Sequence, residues 1–274
     1  MPLLTVVIVS YNSSAVIDEC LKPLLDDDRC RAIIVDNAST DGSASILQDT
    51  FRHAQVIALG QNIGYGRAAN VALEKVETPY ALLLNPDLIA SYETVERLLE
   101  HAIASSDDVA IWGPATSHGE VENCSPQQVD WISGCAMLFK MELLREVGLF
   151  DENIFLFFEE TDLCYRTIQA GKKILQCRDV YFEHLVGKAT PPDTALDYMK
   201  NWHYGWSRGY YYDKHNQGSG KKDPRRRARK YFFKSLVSSS SAKRSRYRAN
   251  ADGLNAFIRG GKAFRENGSP SAMP

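Results

Sequence analysis

The sequence predicts an α/β fold: a mostly parallel central sheet flanked by helices, followed by a helical, basic C-terminal extension. Three observations predict it. Short β-branched runs alternate with helical patterns of about ten residues through the first half, as βαβ units require. The polar motifs VSYN (9–12), VDNASTDGS (35–43) and LNPD (84–87) each close such a run, and open α/β sheets bind ligands beyond the carboxyl ends of their strands. Charge also changes sign along the chain. The net is −2 overall, yet residues 221–248 hold twelve Lys or Arg and a single acid, Asp223. An acidic body bearing a basic segment suits an anionic partner.

Taken in order, strands are expected at 4–10, 32–36, 55–59 and 80–84, with helices at 14–25, 43–51 and 66–76 between them. The run YALLL is apolar throughout, as a strand covered on both faces should be. Helix 91–105 and strand 109–113 follow. WISGCAMLF opens a further strand, then come helices at 141–147 and 159–170 and short strands at 173–176 and 180–182. Beyond about residue 195 the pattern becomes aromatic and basic helix. Gly218, Ser219 and Gly220 mark a break, and the Gly/Ser/Pro-rich end from about Glu266 is expected to be flexible.

The 274 residues suit one large α/β domain with an appendage, or two small domains. None of the six cysteines forms a CxxC pair, which argues against a zinc ribbon. Cys135 and Cys164 sit in apolar surroundings and read as small buried residues. The N-terminal run has no cleavage site, and no apolar stretch reaches the roughly 18 residues of a bilayer span. The expectation is a cytoplasmic protein with reduced thiols.

Several polar groups are candidates for chemistry. Asp36, just past a strand, either reads a uracil or thymine N3–H or closes an Asx-turn, with Asp41 as the cap of the next helix. In QNIGYGRAAN, Gly64 and Gly66 allow close backbone approach, and Arg67 opens a helix where a diphosphate could sit. Pro86 ends a strand and projects Asp87 at the sheet edge, where a hard cation takes oxygen ligands. Trp131 either stacks on a sugar or packs in a buried strand. Glu159, Glu160 and Asp162 follow the apolar run 154–158, and a carboxylate against an apolar wall is poised as a general base. Asp162 and Arg166, spaced i,i+4, are expected to pair.

Taken in order, VSYN, VDNASTDGS, QNIGYGRAAN, LNPD and FFEETDLCYR resemble the inverting nucleotide-sugar glycosyltransferases of family 2, which have the Rossmann-like GT-A fold. The resemblance covers residues 3–215, and its 199–217 stretch is similar to the tail of bacterial rhamnosyltransferase-like members. It implies a GT-A domain over 1–215, with a nucleotide-binding half about 1–115 and an acceptor half about 116–195. Residues 216–274 are left as the basic extension. It implies donor contacts from Ser10, Tyr11, Asn12, Asp36, Asn62, Gly64, Arg67, Asn70, Asn85 and Asp87, and from Ser133 and Gly134 near the sugar. Asn85 stands where the family's first metal-motif Asp usually is. Glu160, where Asp is more usual, takes the position of the base, with Glu159 as its rival and as an acceptor contact beside Trp131. Asp87 and His184 would hold Mg²⁺ or Mn²⁺, and Gly187 and Lys188 would lie in a loop closing over the donor. The implied partners are a dTDP- or UDP-sugar, dTDP-L-rhamnose foremost, and a glycan or lipid-linked acceptor of cell-surface polysaccharide synthesis. The basic segment is expected to touch the inner face of the cytoplasmic membrane rather than nucleic acid.

Overall fold

The computed structural model describes residues 2–29, 31–117, 121–122, 126–185 and 194–272. Cys30, Cys124, Gly187 and Lys188 lie outside the described residues. The chain forms two compact units. One is Met1–Asn62, Ala68–Phe150 and Glu160–Thr190; the other is Ile63–Arg67, Asp151–Glu159 and Pro191–Pro274.

The first unit is built on an eight-stranded sheet. β1 (Leu4–Ser10), β2 (Arg31–Asp36), β3 (Gln55–Ala58) and β4 (Tyr80–Leu84) pair in parallel in the order β3-β2-β1-β4. All seven residues of β1 are buried, as a strand covered on both faces requires. The helices α1 (Ser14–Leu25), α2 (Ser43–Thr50) and α3 (Tyr65–Leu73) connect them. α1 lays Ile17, Leu21 and Leu24, spaced along one helical face, into a cluster with Ile8, Ile34 and Leu82. Burial of each such side chain contributes about 1.5–3 kcal/mol.

Beyond β4 the sheet becomes mixed. After β5 (Leu88–Ile89) and α4 (Tyr92–Ala104) come β6 (Val109–Ala115), β7 (Gln127–Gln128) and β8 (Ala136–Lys140). β8 runs antiparallel between β4 and β6. The expected nucleotide and acceptor halves therefore share one sheet. WISGC does not join β8; residues 131–135 form the turn that precedes it. Then follow α5 (Met141–Val147), α6 (Glu159–Gln169), β9 (Lys173–Tyr181) and β10 (Glu183–His184). The two short strands expected at 173–182 are one strand, β9, whose pairing with β6 is interrupted between Cys177 and Tyr181. β5 and β10 make a separate antiparallel ribbon.

The second unit contains α7 (Thr194–Lys214), α8 (Pro224–Val237) and α9 (Ser241–Ile258). α7 and α9 lie so close that a Cβ at Gly205 or Gly253 would overlap the facing backbone at Asn250 or Trp202. Met199, Trp202 and Trp206 share a core with Phe155 and Ala249. This packing groups the aromatic helix with the basic ones. The end expected to be flexible is tied back: Ser271 N–H donates to Ala263 O, and the Ser271 carbonyl lies 3.0 Å from His203 Nε2. Among the described residues, Cys20, Cys135, Cys164 and Cys177 are buried, and burial pushes the Cys164 and Cys177 thiols up to about 12. No helix among them is long and apolar enough to cross a membrane.

Candidate functional site

The ends of β1 and β2 build one polar edge. Ser10 and Asp36, each the last residue of its strand, are in register and buried. Ser10 Oγ lies 3.0 Å from Ser13 Oγ, which also accepts from the Tyr11 N–H at 3.2 Å. Asn12 adopts a left-handed φ of 53°. Its N–H donates to Ser39 Oγ and its side-chain oxygen accepts from the Thr40 N–H, both at 2.8 Å. Asp36 accepts from the Ser39 N–H at 2.9 Å and from the Ser39 hydroxyl at 2.5 Å. The Asx-type turn is therefore present, with Ser39 as its donor, and Asp41 separately accepts from the Ser43 N–H at 3.0 Å. A carboxylate has about four acceptor sites, so Asp36 keeps capacity for a further N–H. Asn62 accepts from the Asn37 amide at 3.1 Å, which extends this edge past β3.

The end of β4 carries the candidate metal pair. The Asn85 N–H donates to the Cys135 carbonyl at 2.8 Å, which anchors the turn through Pro86. The β5–β10 ribbon sets His184 opposite Leu88, and the Leu185 N–H donates to the Asp87 carbonyl at 2.9 Å. His184 Nε2 then lies 3.2 Å from Asp87 Oδ1, with the Asp87 side chain only 3% exposed. The hydrogen bond it donates to Asp87, and after it that with Cys135, pushes the His184 imidazolium up to about 10. One carboxylate oxygen and one imidazole nitrogen in contact fit a cation that takes its other ligands from a diphosphate and water. Its binding would displace the imidazole proton. Among the described residues no group of three or more His, Cys, Asp or Glu could hold a metal.

A third cluster surrounds Glu160. Trp131 is 50% exposed, outside any strand, so it is not the packing residue of a buried strand. Its indole N–H donates to Thr161 Oγ1 at 3.3 Å, and the Thr161 hydroxyl donates to Glu160 Oε1 at 3.0 Å. Gly134 makes room for the Glu160 stem: a Cβ there would lie 3.1 Å and 3.2 Å from Glu160 Cβ and Cγ. Ser133 Oγ lies 3.1 Å from Cys135 Sγ. Glu160 is partly exposed, yet desolvation of its carboxyl outweighs its hydrogen bonds and raises its pKa above the ordinary value. Asp162, by contrast, is fully buried and accepts from Arg166 Nε at 2.7 Å. The other Arg166 nitrogens donate to the carbonyls of Val147, Gly148 and Leu149. This pair braces the start of α6 against the turn after α5.

Other expected residues are occupied by the protein itself. Asn70 is buried and brackets Phe150, donating to its carbonyl at 2.9 Å and accepting from its N–H at 3.0 Å. In the second unit, Gly64 (φ 87°) meets the Phe155 backbone, where any Cβ would overlap, and the Tyr65 N–H donates to the Phe155 carbonyl. Arg67 stacks 4.6 Å above the Phe264 ring and lines a cavity of about 460 Å³ with Glu152, Lys262 and Arg265. Glu159 is 6% exposed and follows Phe157 and Phe158, two aromatics at positive φ (66° and 70°). Gly64, Arg67 and Glu159 thus belong to the second unit, and the remaining expected residues to the first.

The family model for glycosyl transferase family 2 matches residues 5–165, more than half of the chain. The chain belongs to that family. Two curated relatives show its range. A teichoic acid poly(glycerol phosphate) polymerase of Staphylococcus epidermidis is 34% identical over 96 residues, 32% of this chain and 13% of the relative. An N-acetylglucosaminyl-diphospho-decaprenol L-rhamnosyltransferase of Mycobacterium tuberculosis is 23% identical over 218 residues, 61% of this chain and 71% of the relative. The chain therefore spans a small part of the first relative's length. A mannosyltransferase of Pyrobaculum calidifontis, solved with GDP-Man and Mn²⁺, superposes with a TM-score of 0.63. Identity is 18%, over 94% of this chain and 74% of that one. The family 2 chain has the GT-A fold.

Sequence reasoning passed over Ser39, Thr40 and Thr161. Ser39 and Thr40 latch the first two strand ends together, and Thr161 joins Trp131 to Glu160. Each stands beside a motif acid, within reach of a local side-chain hydrogen bond. That proximity was the available signal.

Proposed function

We propose that this family 2 protein is an inverting glycosyltransferase. The acceptor hydroxyl oxygen forms a bond to the anomeric carbon as the bond from that carbon to the nucleoside diphosphate breaks. The acceptor proton passes to Glu160, and the electrons of the broken bond leave with the diphosphate. The observation that carries this reading is the Glu160 carboxyl itself. It is raised in pKa by burial, held by Thr161 and seated against Gly134. A carboxylate with elevated pKa is a stronger base than an ordinary glutamate. Ser10, Tyr11, Asn12 and Asp36 would seat the nucleotide, with Asn62 and Asn85 beside them. Asp87 and His184 would hold Mg²⁺ or Mn²⁺, which would offset charge on the departing diphosphate. Trp131, half exposed beside Thr161, would stack on a sugar of the acceptor.

The donor reading is dTDP-L-rhamnose, supported by the rhamnosyltransferase named among the relatives, with UDP-hexose or UDP-galactofuranose as alternatives. The acceptor reading is a lipid-linked glycan of surface polysaccharide synthesis. Support for contact with an anionic membrane comes from α8. Phe233, Leu236 and Val237 are 62%, 62% and 81% exposed there, in a segment that includes Arg229, Lys230 and Lys234.

The test has two arms. Thermal shift against dTDP, UDP, GDP and CDP, with and without Mn²⁺, should give a metal-dependent stabilisation by dTDP or UDP. Glu160→Gln should then lose turnover by about 10²–10⁴-fold while keeping that nucleotide affinity. Unchanged turnover would remove Glu160 from the mechanism. Nucleotide binding with no transfer by the unmodified protein would favour a nucleotide-sugar-binding scaffold.

A further inference from the structure

Trp131, Thr161 and Glu160 form a hydrogen-bonded chain whose direction their chemistry dictates. An indole N–H can only donate, and Trp131 Nε1 donates to Thr161 Oγ1 at 3.3 Å. A hydroxyl has one proton, and that of Thr161 goes to Glu160 Oε1 at 3.0 Å. An ionised carboxylate can only accept. Every bond in the series therefore points toward Glu160. All three residues, and Gly134 beside them, belong to the first unit.

A glutamate needs such a restraint. Its last torsion is broad and roughly two-fold, so its covalent structure does not aim the carboxylate. Gly134 confines the stem, because even a Cβ there would stand 3.1 Å from Glu160 Cβ and 3.2 Å from Cγ. Thr161 confines the head. With Oε1 receiving the Thr161 proton, Oε2 is the oxygen left to take a proton from an acceptor. Protonation of Oε1 would instead point a second hydrogen at the Thr161 hydroxyl. Burial is the largest influence on the Glu160 carboxyl and opposes its charge, whereas the Thr161 hydroxyl and the Trp131 indole favour it.

We infer that Thr161 and Trp131 are positioning residues for the general base: the indole orients the Thr161 hydroxyl, and that hydroxyl fixes which oxygen of Glu160 takes the acceptor proton. The inference rests on the reading of Glu160 as the base. It gives Trp131 a role beyond stacking on a sugar. Hydrogen bonds in series polarise one another, so ionisation of Glu160 is felt at the indole.

That coupling can be read without any ligand. The chain has four tryptophans, so a ¹H–¹⁵N spectrum of the full-length protein shows four indole signals, and Trp131→Phe identifies the one from Trp131. This signal should move upfield as pH falls and Glu160 is neutralised, because the Thr161 bond weakens and the indole bond with it. In Glu160→Gln it should stay in place, which also separates Glu160 from the exposed Asp130 next to Trp131. Other groups on α6 do not compete: Asp162 is committed to Arg166, and burial pushes the Cys164 thiol up to about 12, so it stays protonated while Glu160 titrates. In Thr161→Val the movement should be largely lost, and Thr161→Ser, which keeps the hydroxyl, should restore it. A Trp131 signal indifferent to pH in the unmodified protein would overturn the inference. Undiminished movement in Thr161→Val, or in Glu160→Gln, would overturn it as well. If Thr161→Val fails to fold, the comparison of the unmodified protein with Glu160→Gln still decides. Failure of the base reading is distinct, since Glu160→Gln would then keep its turnover however the Trp131 signal behaved.

Discussion

Replacing Asp162 by alanine separates bracing from catalysis in the acidic cluster. Asp162 is fully buried and its partner Arg166 is 21% exposed at the side chain. Removing one member of a buried ion pair costs about 3–5 kcal/mol, chiefly by stranding the other charge. Two features place this pair at the lower end. Arg166 retains three carbonyl acceptors at 147–149, and water reaches part of its side chain. About 3 kcal/mol is therefore expected, which for a domain of this size lowers Tm by roughly 6–12 °C. Circular dichroism melts of purified Asp162→Ala would read the change. Turnover of the folded fraction, below the transition, should fall far less than that of Glu160→Gln. A loss of turnover comparable to Glu160→Gln with Tm unchanged would refute the reasoning and make Asp162 the base.

Other expectations follow from the same geometry. Transfer rate should fall on the acid side with an apparent pKa above the ordinary carboxylate value, because burial raises Glu160; a limb at the ordinary value would exclude it. Since the folded pKa lies above the unfolded one, ionising Glu160 costs stability as pH rises through the folded value. Glu160→Gln should thus gain Tm relative to the unmodified protein at pH 8 and not at pH 4. Gly134→Ala forces a Cβ to about 3.1 Å from the Glu160 stem. Turnover should drop tenfold or more with nucleotide affinity kept, a displacement effect that steady-state kinetics would expose. Phe233→Glu on α8 should lower co-sedimentation with vesicles rich in anionic lipid and leave transfer to a soluble acceptor intact. Equal sedimentation would move the membrane surface elsewhere.

What was legible in the sequence was local. Strand ends carrying Ser10, Asp36 and Asp87 could be found because a β-branched or apolar run stops at a polar turn, and Pro86 enforces one such stop. The Asp162–Arg166 pair followed from helical spacing alone. The direction of β8 was not legible, since an apolar run reads the same in either sense. The packing of the aromatic helix was not legible for a similar reason. Gly218, Ser219 and Gly220 look like a break, whereas the fit of Gly205 to Asn250 and of Gly253 to Trp202 depends on residues about fifty positions apart. The bond of Asn70 to Phe150, eighty residues away, leaves no local trace.

The turn before α6 leaves two adjacent glutamates with different exposure. Two bulky residues at positive φ, Phe157 and Phe158, cost about 1–3 kcal/mol each. Among the described residues, aromatic contacts hold them: Phe157 on Tyr204, and Phe158 on Tyr204, Tyr211 and Tyr212. At about 0.5–1.5 kcal/mol per pair these offset the strain. Ser207 fixes the entrance by donating to the Leu156 carbonyl at 2.9 Å. The strained turn delivers the chain into α6 with Glu159 6% exposed and grouped with the second unit, while Glu160 keeps partial exposure against Gly134. A base must reach both its proton donor and, after each turnover, a route to water. On the proposed mechanism the partial exposure of Glu160 meets the second condition, which the buried Glu159 does not.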